Sequence, residues 1–356
     1  MAEGVTEGMN ERWSEERAWA WHAAQPWRFG CNFIPSNAIN QLEMWQAETF
    51  DPETIDRELG WAAAIGMNAV RVYLHDLLWR GDAAGFLARI DRFLAIADRH
   101  GIATMLVLFD GVWDPFPRLG PQRAPRPRVH NSGWVQSPGV EILSDPARHG
   151  ELEAYVRGIA KRFRDDSRIL VWDVMNEPDN PNPVSYAAHE PKEKASLALT
   201  LLQRAYGWLR VEGVSQPLTS AVWQGDWRDP AKLGPLDRFL LGASDVASFH
   251  CYLSAPQLRR RIEALAPYGR PLVCSEFLAR SLGSTFAECL PVFAETGIGA
   301  FCWGLVAGKT QTIYSWDSWV RRYEDEPEEW FHDVLRPDGT AYRREEVEVI
   351  RANRGG

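Results

Sequence analysis

Short β-branched and aromatic runs alternate with stretches of helical apolar spacing along nearly the whole chain of 356 residues, and this alternation limits its fold more than any other feature. The strand candidates are 29–33 (FGCNF), 68–74 (NAVRVYL), 103–109 (ATMLVLF), 169–175 (ILVWDVM), 218–223 (LTSAVW), 246–252 (VASFHCY), 271–275 (PLVCS) and 299–305 (GAFCWGL), eight in all. Between them, residues 84–99 set Phe86, Leu87, Ile90, Phe93, Leu94 and Ala97 on one helical face and end in Arg99-His100-Gly101, a basic last turn followed by a C′ glycine. Residues 193–212 repeat the pattern with Leu197, Leu201, Leu202, Tyr206 and Leu209. Strand and helix in strict alternation predict a parallel sheet, and eight cycles predict an α/β fold closed as a single (β/α)8 TIM barrel. An open doubly wound sheet is the competing arrangement, but no Gly-rich phosphate turn follows the first strand. The expected organisation is a Trp-rich N-terminal extension over 1–27, packed on a barrel domain over 28–356.

Composition removes several classes of function. A formal charge of −9 with no basic stripe argues against a nucleic-acid partner. The opening MAEGVTEGMNERWSEERAW carries acids throughout and no apolar run, so neither a secretory signal nor a membrane anchor is expected, and a cytoplasmic location follows. Five scattered cysteines without a C-x-x-C pair read as reduced core thiols. No cofactor motif is present, and the oligomeric state is not legible. The seventeen tryptophans exceed ordinary usage, and an indole face is a flat apolar platform suited to the C–H face of a sugar ring, although many should simply pack.

Two connections exceed turn length: 110–145, rich in Pro and Gly, and 306–341. Each follows a strand and should rise at the C-terminal mouth of the barrel, where long loops carry function. The strand ends should gather there too. They bring Asn32 and Phe33, Arg71 to His75, Asp110, Asn176 with Glu177, Trp223, His250 with Tyr252, Glu276 and Trp303. Two of these are glutamates, Glu177 after the fourth strand and Glu276 after the seventh, and strands three places apart in an eight-fold ring face each other across the opening. An isolated glutamate at a strand end is ordinarily a surface carboxylate or half of an ion pair. A facing pair is the equipment for glycoside hydrolysis, in which one carboxyl gives a proton to the leaving oxygen and the other attacks or activates water.

The segments WDVMNEP and VCSEF, in that order on strands four and seven, resemble the clan A retaining glycoside hydrolases, and most closely glycoside hydrolase family 5, the cellulase-like family. The likeness runs over roughly 28–350 through NAVRVY, FHCY and FCWGL. It implies that Glu177 is the acid/base, which must start protonated, and that Glu276 is the nucleophile, kept ionised by Arg71 and Tyr252 as donors. It further implies that Asn176 donates to the sugar 2-hydroxyl, that His250 tunes the acid/base and that Trp303 floors the sugar site. The chain departs from the family on strand three, which ends LFDG where many relatives place a histidine. Asp110 stands there instead, and His130, Asn131 and Trp134 arrive later, as sugar-binding candidates or as stiffeners of a long loop. His75, Trp223, Trp227 and Lys309 carry the same two readings.

The function expected is therefore a retaining β-glycoside hydrolase using double displacement, with a carbohydrate substrate and no metal or membrane involvement. Exo action on small β-glycosides or oligosaccharides is favoured, and an endo-β-glycanase or a transglycosylase shares the same catalytic residues. A metal-dependent barrel enzyme would want H-x-H or H-E-x-x-H spacing, which the chain lacks. A non-catalytic sugar-binding barrel would be expected to lack one of the two glutamates.

Overall fold

In the computed structural model, described over residues 11–353, the eight strands form one parallel sheet in the order β5-β4-β3-β2-β1-β8-β7-β6. They are β1 (Phe29–Asn32), β2 (Ala69–Tyr73), β3 (Ala103–Asp110), β4 (Ile169–Asn176), β5 (Leu218–Thr219), β6 (Ala247–His250), β7 (Leu272–Phe277) and β8 (Gly299–Trp303). A parallel bridge between Val222 and Phe249 joins the edges, with His250 donating its N–H to the Val222 carbonyl at 3.1 Å, so the sheet closes into a barrel. β5 is shorter than the 218–223 expected. The physical reason lies at Ser220, whose hydroxyl both donates to the Met175 carbonyl and accepts its N–H at 2.9 Å, taking the place of ladder bonds.

Helices wrap the outside, and their ends follow local chemistry. The helix Pro52–Ile65 starts with Asp51 accepting the N–H groups of Glu53 and Thr54, and stops at Gly66 with φ 110°. The helix Asp76–Arg99 begins eight residues before the expected 84–99 segment and kinks at Asp82, while Lys194–Glu212 matches expectation to a residue. A continuous apolar layer fills the space between barrel and helices. A small plug of Ala69, Met105, Leu170, Val171, Val246, Val273 and Phe301 fills the barrel floor, and Tyr73, Val107, Val112, Trp113, Trp134 and Trp303 cluster near the mouth. All five cysteines are buried and unpaired. Among the described residues, no helix is long and apolar enough to cross a membrane.

Of the expected N-terminal extension, residues 1–10 lie outside the described residues. The remainder packs under the barrel: the Trp13 N–H donates to Asp245 at 2.8 Å, the Trp27 indole donates to the Ile298 carbonyl at 2.9 Å, and Trp21 sits against the floor plug. Both long segments, after β3 and after β8, rise at the opposite end, where the first is tied by bridges Asp110–Ser137 and Asp114–Val135 and the second by Val306–Leu335.

Candidate active site

The β4 ladder ends in Asn176-Glu177-Pro178. A proline disfavours right-handed helical backbone in the residue before it, and Glu177 takes the left-handed region with φ 39°. The turn brings its carboxyl to the wall of a cavity at the mouth. Gly111 backs this turn, and a Cβ there would stand 2.4 Å from the Glu177 carbonyl oxygen, so only glycine fits. On β7 the pairing passes from Phe249–Cys274 to His250–Glu276, and from Cys274–Ala300 to Phe277–Cys302, one extra residue of β7 in each case. Such a bulge re-aims side chains, and here it sets Glu276 beside His250.

The two glutamates face each other. One oxygen from each and a His250 ring nitrogen all lie within 4.8 Å of one another. His250 Nδ1 stands 2.8 Å from Glu177 Oε1 and 3.5 Å from Glu276 Oε2. Asn180 Nδ2 donates to the other oxygen of Glu177 at 2.6 Å. Glu276 has three donors: Arg71 Nη1 at 2.7 Å and Tyr73 Oη at 3.0 Å on Oε1, and Tyr252 Oη at 2.7 Å on Oε2. Burial pushes the Glu276 carboxyl upward, but the neighbouring His250 and Arg71 charges and the donated hydrogen bonds outweigh it and hold the group below the usual carboxylate range. The two glutamates are thus held differently, one ringed by donors and ionised, the other shared between an imidazole and an amide.

Asn176 joins the two halves of the site, accepting from Arg71 Nη2 at 2.8 Å and donating to Asp110 Oδ1 at 3.0 Å. Asp110 also accepts from Trp134 Nε1 at 2.6 Å, Gln41 Nε2 at 3.2 Å and the Val112 N–H at 3.1 Å. Burial still pushes its carboxyl up to about 7 against these bonds. His130 donates through Nδ1 to the Tyr314 carbonyl, 2.8 Å away, which makes Nδ1 the protonated nitrogen, and burial lowers the ring to about 4 and keeps it neutral.

Of the expected site residues, Glu177, Glu276, Asn176, His250, Tyr252 and Trp303 line one cavity of about 450 Å³, as do Asp110, His130, Asn131, Trp134 and Trp223. Both side-chain polar atoms of Asn131 are buried there without a protein partner. Trp223 donates its indole N–H to Asp179 at 2.7 Å. Two expected binding residues stand elsewhere. Arg71 is wholly buried beneath Glu276, pinned between it and Asp173 at 2.7 Å each, so it has no surface to offer a ligand. Lys309 turns away to pair with Glu43 at 2.6 Å on a separate groove. His75 caps a helix by accepting the Leu77 N–H, and Trp227 is core.

Several contributors carry no assignment from the sequence, Trp113 on the cavity wall among them. Tyr73 shares a strand face with Arg71 at a spacing of two residues, so period-two alternation signals it. Asn180 follows Glu177 by three positions, a local signal that the motif overshadowed. Trp316 and His332 line the cavity from the long segment after β8, and no local pattern marks them.

Glu177, His250 and Glu276 are also the set that could offer donor atoms to a cation among the described residues. The Arg71 guanidinium 2.7 Å from Glu276 and the hydroxyls pointing hydrogens at it oppose a second positive charge there.

Fold and site together define a TIM-barrel protein with two facing glutamates at the C-terminal mouth. No protein-family profile matches the chain. Among curated proteins it is similar to mannan endo-1,4-beta-mannosidase A of Emericella nidulans, 23% identical over 92 residues, which is 26% of this chain and 22% of that enzyme's length. Among solved structures, a substituted form of GH5_18 from Streptomyces cattleya in complex with Manb1-4GlcNAc superposes with a TM-score of 0.63 at 17% identity, covering 93% of this chain and 80% of that one. The exo-beta-1,4-mannosidase Op5Man5 from Opitutaceae bacterium strain TAV5 gives 0.62 at 18% identity, covering 91% of this chain and 59% of that one. XEG5A, a GH5 xyloglucan-specific endo-beta-1,4-glucanase from a metagenomic library, gives 0.56 at 14%, covering 95% and 99%. The barrel is the fold of these structures.

Proposed function

We propose that this chain is a retaining β-glycoside hydrolase of the family 5 type, with Glu177 as acid/base and Glu276 as nucleophile. The observation that carries it is the facing of the two carboxyls, with an oxygen of each within 4.8 Å. A retaining pair is separated by about 5–5.5 Å, whereas an inverting pair needs about 6.5–9.5 Å to admit a water between carboxylate and sugar. The division of donors supports the roles. Three donors and the Arg71 charge favour an ionised Glu276, ready to attack the anomeric carbon. Glu177, opposite, gives its proton to the departing oxygen and then takes one from the water that releases the sugar.

Arg71 and Tyr73 belong to this mechanism as groups that position and charge Glu276 from below, while Asn176 and Tyr252 reach the sugar from the wall. Trp303, Trp134, Trp113 and Trp316 offer apolar faces around it. A cavity of about 450 Å³, walled by the segments after β3, β4 and β8, suits one or two sugar rings, which favours exo action on short β-linked oligosaccharides. The mannose-containing ligand and mannosidase names among the structural neighbours make β-mannosides the first choice of substrate. The test is a panel of aryl β-glycosides, with β-mannoside and β-glucoside foremost, followed by NMR of the first-formed sugar. Turnover with the β anomer appearing first is expected; no turnover of any member, or the α anomer first, overturns the proposal.

A further inference from the structure

The structure assigns Asn180 as the residue that positions the Glu177 carboxyl and steadies its ionised form, with Lys194 as the staple that holds Asn180 in place. The assignment rests on the acid/base role proposed for Glu177.

The amide of Asn180 can face only one way. Its Oδ1 accepts the Asn182 backbone N–H at 2.8 Å, which leaves Nδ2 to donate to Glu177 Oε2 at 2.6 Å. The Asn180 backbone N–H donates to the Glu177 carbonyl at 3.1 Å, closing the tight turn that carries the unusual φ of Glu177. Asn180 therefore grips the acid/base at both its backbone and its side chain.

Below it lies a cation that the reaction itself does not use. Lys194, buried at the start of the helix Lys194–Glu212, donates to the carbonyls of Asn180 at 2.7 Å and Gly111 at 2.6 Å. Its charge is matched by Glu190 at 2.8 Å, whose other oxygen accepts from Asn182 Nδ2 at 2.5 Å and Gln136 Nε2 at 2.6 Å. Burying a lysine is costly unless it is paired and bonded throughout. The bonds it makes tie together the end of β3, the turn after β4 and the helix behind them, which are the elements that set where Glu177 stands.

A donor on a carboxylate oxygen favours the charged form. Asn180 therefore eases proton departure from Glu177 to the leaving oxygen and stabilises the carboxylate that must next act as base. The charged and titratable groups around Glu177 include His250 at Oε1, Glu276 and Tyr252 across the cavity, Asp110 and Arg261 on its wall, Asp179 two residues along the turn, and the Lys194–Glu190 pair behind Asn180. Asn180 is neutral at every pH, so its effect is separable from theirs.

The experiment compares the wild type with Asn180→Ala and Asn180→Asp on two glycosides of one sugar, an alkyl glycoside that needs a proton on its leaving group and a dinitrophenyl glycoside that does not. Loss of a hydrogen bond to a charged group predicts a fall of about 10- to 100-fold in kcat for the alkyl glycoside, with the burst rate on the dinitrophenyl glycoside little changed. The alkaline limb of the pH–rate profile should move to higher pH in Asn180→Ala. It should move further in Asn180→Asp, which keeps an acceptor for the Asn182 N–H but turns a second carboxylate on Glu177. Because the Asp variant is isosteric, it carries the test should the Ala variant fail to fold. Coincident alkaline limbs in all three proteins, or equal losses on both substrates, would overturn the assignment. Equal losses on the two glycosides in Glu177→Ala would instead remove the acid/base reading beneath it.

Discussion

Nη1 of Arg71 stands 2.7 Å from Oε1 of Glu276, with both side chains buried. The same guanidinium reaches Asp173 at 2.7 Å through Nη2, so one cation serves two buried carboxylates. Burial lifts the Asp173 carboxyl above its usual range even so, outweighing the lowering by the Arg71 charge and hydrogen bonds. Arg71→Met should cost about 3–5 kcal/mol of stability, the range for breaking a buried pair, read from urea unfolding. The folded value of Glu276 is depressed, so its contribution to stability is present above the unfolded value and is lost as pH falls through the folded one. Removing Arg71 raises that folded value, and the acid limb of activity should move to higher pH. An unmoved acid limb would separate Arg71 from Glu276.

Tyr252→Phe removes the 2.7 Å hydroxyl bond on Glu276 Oε2, and Tyr73→Phe the 3.0 Å bond on Oε1. Each should shift the acid limb in the same direction as Arg71→Met and by less, because a hydrogen bond is lost while the charge stays. A bond to a charged group is worth about 1.5–3 kcal/mol. Tyr252 also lines the cavity, so its variant should raise KM as well, and Tyr73→Phe should leave KM nearly unchanged. Steady-state profiles of both variants check this, and an equal KM effect would contradict the placement of Tyr73 beneath the site.

Asp110 supplies a stability signature with the opposite sign. Its folded value, raised to about 7 by burial, lies above that of the unfolded chain. The native state then binds more protons between the two values, and stability declines as pH rises through that window. Asn at this position does not titrate. The stability advantage of the wild type over Asp110→Asn should therefore shrink between pH of about 5 and about 8. Paired urea midpoints at the two pH values measure it, and a constant difference would mean that the four donors hold Asp110 ionised throughout.

Glu177→Ala should cripple glycosides with poor leaving groups while sparing much of the first step for an activated aryl glycoside. General acid assistance is worth roughly 10²–10⁴-fold. Azide, small enough to enter the space left by the side chain, should restore turnover and yield a β-glycosyl azide. Equal damage on both substrates would give Glu177 another task.

The barrel was legible because parallel strands buried on both faces read as unbroken apolar runs, and ILVWDVM or GAFCWGL cannot be mistaken for surface segments. The two glutamates were legible because strand ends of a barrel converge, so position alone brought residues 177 and 276 together. What the sequence hid depends on long-range geometry. β5 looked longer than it is because the hydroxyl of Ser220 takes over hydrogen bonds that the alternation assigns to the ladder. Lys309 resembles a site cation because it follows β8, but the segment 306–341 folds so that it meets Glu43 while His332 and Trp316 reach the cavity. No periodicity records the path of such a loop. Arg71 meets Glu276, but its complete burial, which excludes sugar contact, follows from Asp173 and Tyr73 closing around it.

The most direct measurement is the site of covalent trapping. A 2-deoxy-2-fluoro glycoside with a good leaving group, in the configuration that the enzyme accepts, should form its glycosyl ester quickly and release it slowly, because the fluorine destabilises the charge that develops at the anomeric carbon in both steps while the leaving group compensates only the first. Mass spectrometry of the digested protein should then show one sugar on the peptide containing Glu276. A label on another residue, or turnover of the parent glycoside with no adduct and the inverted anomer as first product, would contradict the account.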